Sequence, residues 1–160
     1  MTRIMISVAV PDAAEALARL QIDFNAEFES PCPTREELAR RYRAILARPE
    51  AYALLAGSPR TPDGYALVTL RPTIYSDGPL AVLDELYVRP ALRAEGIGTA
   101  LLRRAVEELR DRGGEEMHIN VDEVDVDTRR FYERHGFVNT EQGTEDRMLL
   151  YLREFPSEAQ

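Results

Sequence analysis

One cysteine, Cys32, is all that this 160-residue chain contains. That excludes an intrachain disulfide framework and points to a reducing compartment. Long apolar runs are missing too, and nothing approaches the roughly 18 residues that cross a membrane. The opening MTRIMISVAVP has one basic residue and a short apolar alternation closed by a proline, so it reads as a first strand and not as a signal peptide. Positive charge is in deficit, with 20 basic against 28 acidic residues and a net charge of −8. Non-specific nucleic-acid binding, which rests on basic patches, is disfavoured. An acidic surface suits a cationic substrate as well as plain solubility. No internal repeat, low-complexity tract or linker interrupts the chain. These absences lead to a cytoplasmic protein of one domain, residues 1–160.

What is present suffices for a core. Hydrophobic residues make up 44% and charged residues 30% of a chain long enough to need no metal or disulfide staple. Ile4, Ile6, Val8 and Val10 alternate as in a half-buried strand that Pro11 ends. Asp12 with Glu15 has capping-box spacing, and Leu17, Leu20, Phe24 and Phe28 mark a first helix. Thr34 with Glu37 repeats that spacing before a second helix carrying Leu38, Tyr42, Ile45 and Leu46. AYALLAG (51–57) and YALVTLRPTIY (65–75) form a hairpin across SPRTPDG. LAVLDELYV (80–88) is a third sheet strand with an acidic pair in its middle.

Ile97, Leu101, Ala105 and Leu109 then line one face of a long helix ended by Gly113-Gly114. MHINV (117–121) is a strand, Thr128 to His135 a short helix, and RMLLYLREF (147–155) a last strand after Phe137-Val138. The order βααβββαβαββ predicts an α/β (α+β) fold, a mixed and mostly antiparallel sheet of about seven strands flanked by about four helices.

The helix at Ile97 opens on RAEGIGTALL (93–102). A P-loop would need a lysine after the last glycine, where Thr99 stands. A dinucleotide fingerprint would need glycine at Leu101 and a tighter turn from the strand, yet seven residues separate Val88 from Gly96. A longer loop that holds a pyrophosphate at the helix N-terminus remains, with four unpaired amides, the helix dipole and Arg93 as donors. A helix start whose glycines only relieve crowding is the bland alternative.

The flanking residues decide between them. Asp-Glu-Leu-Tyr-Val-Arg-Pro-Ala-Leu-Arg-Ala-Glu-Gly-Ile-Gly (84–98) resembles the signature of the GCN5-related N-acetyltransferases, Arg/Gln-x-x-Gly-x-Gly/Ala after the fourth strand, with Arg93, Gly96 and Gly98 at its fixed positions. RRFYERHGF (129–137) looks like the late helix of the same family, Phe-Tyr-x-x-x-Gly-Phe, with Phe131, Tyr132, Gly136 and Phe137 in register. The resemblance is motif-level over about residues 80–138 and topological elsewhere.

That resemblance implies acetyl-CoA as co-substrate, a primary amine as acceptor, and no metal. It implies strands 80–88 and 115–121 splayed around the pantetheine arm. Backbone groups of Leu86 and Val88 and the loop Arg93, Ala94, Glu95, Gly96, Ile97, Gly98 and Thr99 would hold the cofactor. Asp125 falls where relatives often carry an asparagine credited with a CoA contact. Ala94 and Glu95 depart from the pattern, which favours glycine and a basic residue there. Homodimers are frequent among such proteins.

Direct transfer in a ternary complex needs a base, an acid and an oxyanion donor, but no enzyme nucleophile. A lysine-like amine, with a pKa of about 10, must lose a proton before it attacks, and the leaving thiolate must gain one. Asp84 and Glu85 are the candidate bases, Asp84 ranked slightly first. Adjacent strand residues point to opposite faces, so only one should face the cleft. A solvated charge and a salt-bridge partner are their bland readings. Tyr132 is the candidate acid, with a packed helix-end tyrosine as the alternative. The oxyanion donor would be a strand-four amide near Val88.

Cys32, His118 and His135 read as structural. The carboxylates of Asp122 to Asp127 lack the glycine and terminal glutamate of a calcium loop; they read as helix caps and a solvated loop, or as a negative rim near the acceptor cleft that attracts amines. The expected activity is acetylation of a small-molecule amine. A protein N-terminus or lysine comes second, and a non-catalytic CoA-binding module on the same fold is the rival from another class.

Overall fold

The computed structural model describes residues 3–157. The chain forms two compact units, Met1–Ile119 and Asn120–Gln160. The first holds a five-stranded sheet in the order β1 (Ile6–Val8), β2 (Ala51–Ser58), β3 (Thr61–Arg71), β4 (Leu80–Val88) and β5 (Glu116–His118). All neighbours run antiparallel except β4 and β5, the parallel pair that the crossover helix between them requires. Helices α1 (Ala14–Glu27) and α2 (Arg35–Leu46) precede the hairpin, and α3 (Ile97–Asp111) is the crossover.

Side-chain period fixes which helix covers which face. Tyr65 and Leu67 of β3 and Tyr87 of β4 join Leu17 and Leu20 of α1 and Tyr42 of α2 in one buried cluster. On the other face Tyr52, paired with Val68 across β2 and β3, donates its hydroxyl to the Ala105 carbonyl of α3 at 2.7 Å. The Ile97, Leu101, Ala105 and Leu109 stripe is buried as its spacing predicts. Each such leucine contributes about 1.5–3 kcal/mol by leaving water.

Of the two capping boxes expected, one forms. Thr34 and Glu37 exchange bonds at the start of α2, Glu37 N–H to Thr34 Oγ1 at 3.3 Å and Thr34 N–H to Glu37 Oε2 at 2.9 Å. Asp12 caps nothing: Pro11 opens a 3-10 turn, Pro11–Ala13, that puts Asp12 inside it and delays α1 to Ala14. Glu15 accepts instead from Arg35 Nη2 at 3.2 Å. The hairpin is also tighter than its Pro/Gly-rich sequence suggests, with only residues 59–60 between β2 and β3.

In the second unit Asp125 caps α4 (Val126–Arg134), its Oδ1 accepting from Thr128 N–H at 3.2 Å. Gly136, at φ +87°, closes the helix, and Phe137 N–H returns to the Tyr132 carbonyl at 3.1 Å. Beyond it the strands expected at 137–138 and 147–155 are absent among the described residues, which accounts for five strands in place of about seven. The run MLLYL is apolar at every position, so as a strand it needs cover on both faces and a paired neighbour. Its segment forms one isolated bridge, Thr140 with Arg147, and Met148 to Leu152 stay exposed.

All 20 basic residues of the chain are arginine, and it contains no lysine. No helix among the described residues is long and apolar enough to cross a membrane.

Candidate active site

The two adjacent acids of β4 do not diverge. Glu85 pairs with Leu67, but the next β3 residue, Val68, pairs with Leu83, so Asp84 is the extra residue of a β-bulge. Its carboxylate Oδ2 accepts from Thr69 Oγ1 at 2.6 Å, and Thr69 shares the face of Tyr65 and Leu67. Glu85, opposite Leu67, shares it too. Both carboxylates therefore lie on the side covered by α1 and α2, and Tyr42 of α2 feels the charge of each. The expectation that only one could face that side is corrected by the bulge.

Burial raises the Glu85 carboxyl above its ordinary value, opposed by a hydrogen bond from Gln21 and reinforced by the neighbouring Asp84 charge. Asp84 is raised as well, chiefly by desolvation, with the Thr69 bonds pulling the other way, although solvent still reaches it. Among the described residues, no basic side chain hydrogen-bonds or forms an ion pair with either carboxylate. Two acids crowded together in this way each hold a proton more readily than free carboxylates do. Two shallow hollows border Arg112, and neither is lined by Asp84 or Glu85.

Around these acids stand three tyrosines. Tyr42 and Tyr65 meet edge to face at 6.4 Å, and Tyr65 lies 6.3 Å from Tyr87. Burial pushes all three phenols up, so they stay neutral. Sequence reasoning passed over Gln21, Tyr42, Tyr65 and Thr69, which looked like ordinary positions on amphipathic elements.

Residues 93–99 form the end of the loop before α3 and the first turn of that helix. Gly96 is the N-cap, in the left-handed region at φ +85°, and Ala94 takes the same region at φ +64°. The first intrahelical backbone bond runs from Ala100 N–H to Gly96 C=O at 3.0 Å. The amides of Ile97 and Gly98 thus precede the helix ladder and face out of its positive end. Arg93 does not reach outward. Its Nη1 and Nη2 donate to Glu27 at 2.5 and 2.6 Å, its Nε donates to the Val88 carbonyl at 3.0 Å, and its guanidinium lies 5.7 Å from the Tyr87 ring centre. One helical turn earlier on α1, Asp23 binds Arg89 at 3.1 Å. Two parallel ion pairs fasten α1 to this loop.

The β4–β5 pairing supplies the other feature. It runs only from Leu80 with Glu116 to Val82 with His118, while β4 stays paired to β3 as far as Val88. Among the described residues, the backbone from Leu83 to Val88, including Leu86, has no partner strand on the β5 side. The Val88 carbonyl is taken by Arg93 Nε, and the strand groups left over run up to a helix N-terminus.

In the second unit Tyr132 is buried, its ring 5.1 Å from Phe131 and 5.5 Å from Phe137. Asp125 is committed to capping α4. His135 Nδ1 lies 2.7 Å from the Phe131 carbonyl, and His118 Nε2 lies 2.5 Å from Glu116 Oε1, both in structural settings. Cys32 is exposed. No His/Cys/Asp/Glu cluster among the described residues has the makings of a metal site.

The sheet is mixed and half-open, a long loop enters the crossover helix, and two acids stand side by side on β4. Known proteins share this architecture. The sequence model of the Acetyltransferase (GNAT) family matches residues 15–137. A crystal structure of a protein described as an acetyltransferase from Arthrobacter sp. FB24 is 44% identical, with a TM-score of 0.89 over 97% of this chain and 98% of that one. An aminoglycoside acetyltransferase from an uncultured soil metagenomic sample, 22% identical, shares the fold at a TM-score of 0.77 over 96% and 97% of the two chains. So does the ribosomal-protein-alanine N-acetyltransferase of Brucella melitensis biovar Abortus 2308, 19% identical, at 0.73 over 96% and 100%. A search of the curated proteins finds no match. The chain belongs to the GNAT family and is an acetyltransferase.

Proposed function

We propose that this chain transfers the acetyl group of acetyl-CoA to a primary amine of a small molecule by direct attack in a ternary complex, with residues 1–160 working as one domain. The observation that carries the reading is the pair of crowded, counter-cation-free carboxylates, Asp84 and Glu85, on one face of a bulged strand. A protonated amine supplies the missing positive charge and brings the proton that a raised carboxylate is suited to take.

Acetyl-CoA supplies the activated acetyl group, and the donors available suit a molecule that is part amide and part anion. The backbone of Leu86 and the Val88 N–H match amide groups, the Val88 carbonyl being held by Arg93 Nε, and the N-terminal amides of α3 match a pyrophosphate. Gly96 permits the loop's left-handed turn there. Within the motif Arg93 serves by bracing the loop through Glu27 and Val88. Glu85, the more enclosed acid, takes the amine's proton; Asp84 stands beside it, and Tyr132 returns a proton to the leaving sulfur. The net charge of −8 draws cationic acceptors toward the molecule.

The test is thiol release from acetyl-CoA across a panel of small amines, with peptide amines as a second arm. Turnover on a small amine that is lost in Glu85→Gln supports the reading. Turnover on peptides alone moves the acceptor to protein amines, and CoA binding without turnover on any amine makes the chain a binding module.

A further inference from the structure

The register around the bulge explains why Asp84 stands where it does. Glu85 pairs with Leu67, so an unbroken ladder would set Asp84 opposite Val68. Val68 is fully buried on the face that α3 covers, and a carboxylate beside it would lose its water. The bulge puts Leu83 in that place instead, and Leu83 is buried as well. Asp84 is thereby displaced from the ladder, and one contact decides the side it takes. Thr69 lies two residues beyond Leu67 along β3, on the side of α1 and α2, and its Oγ1 donates to Asp84 Oδ2 at 2.6 Å. An ionised carboxylate can only accept, so the hydroxyl proton lies between the two oxygens. Thr69 is β-branched, which leaves its hydroxyl few other directions. Tyr42 and Tyr65 are not available for this task, because both give their hydroxyls to Gln21 Oε1, at 2.5 and 2.6 Å. Among the described residues, Thr69 is the side chain that hydrogen-bonds this acid.

We propose that Thr69 is the positioning residue for Asp84, holding the bulged acid on the face of Glu85 so that a positively charged acceptor meets two carboxylates instead of one. The acceptor's share of this rests on the proposed amine acetylation; the placing of Asp84 does not. A carboxylate offers about four lone-pair sites, of which the Thr69 bond uses one, so the held acid keeps capacity for an ammonium group. A hydrogen bond to the ionised form also keeps Asp84 charged against the burial that works the other way. The two acids then divide the work: Asp84 binds the acceptor's charge, and Glu85 takes its proton. The titratable groups that face Asp84 are Glu85, next to it on β4, and Tyr42 of α2, whose phenol burial keeps neutral. Thr69 itself carries no charge.

The experiment follows the Asp84 side-chain carboxyl by NMR in protein labelled with carbon-13 aspartate, the signal assigned by its loss in Asp84→Asn. Thr69→Val keeps the branched shape and removes the hydroxyl, whereas Thr69→Ser keeps the hydroxyl and removes the methyl. Thr69→Val should raise the Asp84 titration midpoint by about one pH unit, the low end for a hydrogen bond to a charged acceptor, because solvent reaches this acid. For the small amine of the panel with the lowest KM, that KM should rise about tenfold while kcat stays within about threefold. Thr69→Ser should restore both readouts. Thr69→Ala carries the test if Thr69→Val does not fold. A midpoint unchanged in the folded variant overturns the proposal. A midpoint that moves with KM unchanged keeps Thr69 as the support of Asp84 and takes Asp84 out of acceptor binding. If the unsubstituted protein turns over no amine, the proposed function fails, and the midpoint still decides whether Thr69 places Asp84.

Discussion

Glu27 holds Arg93 with both carboxylate oxygens, at 2.5 and 2.6 Å, and so ties the last turn of α1 to the loop that leads into α3. The hydrogen bond from Arg93 is the main reason that the Glu27 carboxyl sits below its ordinary value. A carboxylate depressed in the folded state stabilises above its unfolded pKa of about 4.3, and that contribution disappears as the pH falls through the folded value. Both side chains remain partly in solvent, which limits the pair to about 1 kcal/mol. Glu27→Ala and Arg93→Ala should each lower stability by that order at neutral pH. Their double mutant should lose little more than either single one. Denaturant melts of the four proteins measure the coupling, and strictly additive losses would refute it.

Ala94 makes a separate prediction about the same loop. Its φ of +64° is a conformation that costs an L-residue about 1–2 kcal/mol and glycine nothing, set against the larger chain entropy that glycine loses. Ala94→Gly should therefore stabilise the protein by roughly 0.5–1 kcal/mol. A lower unfolding midpoint in that variant would show that the strain is not there.

Glu85 should couple activity to stability in opposite senses. Its carboxyl is raised in the folded state, so folding is favoured while the group is protonated and loses that advantage as the pH climbs through the folded value. Glu85→Gln should slow turnover by about 10²–10⁴-fold, the usual worth of a general base. It should also raise the unfolding midpoint at pH 8, with the gain fading toward pH 4. Thermal melts across that range, paired with rates, read both effects.

For Tyr132, the phenylalanine variant keeps the ring contacts with Phe131 and Phe137. If the phenol returns the proton, kcat should fall by about 10²-fold or more in a variant whose melt shows it still folded. Full turnover in Tyr132→Phe would take it out of the chemistry.

The parts of the molecule that were legible in the sequence are those set by local rules. The α3 stripe, the Thr34–Glu37 box and the Gly136 helix stop each need only a few neighbouring residues. The bulge at Asp84 depends on how β4 meets β3, which no property of LAVLDELYV reveals, so strand alternation alone sends the adjacent acids to opposite faces. Gln21 reads as one more polar residue between Leu20 and Phe24 until α2 and β3 bring two phenols to it. Asp12 had the right spacing to Glu15, but Pro11 moved the helix start. Arg93 matched the loop motif, yet the motif could not show that Glu27, 66 residues away, would take its guanidinium.

The arginine-only surface has a consequence for an enzyme that handles an activated acetyl group. A guanidinium stays protonated at any pH where the protein is folded and does not compete as a nucleophile, whereas an unprotonated lysine amine would. With no lysine in the chain, no side-chain amine of the molecule can be consumed by its own reaction, nor by a neighbouring copy. Acetyl-lysine appearing in a reaction mixture must therefore come from another protein, which makes this chain a self-blank catalyst for tracing its acceptor.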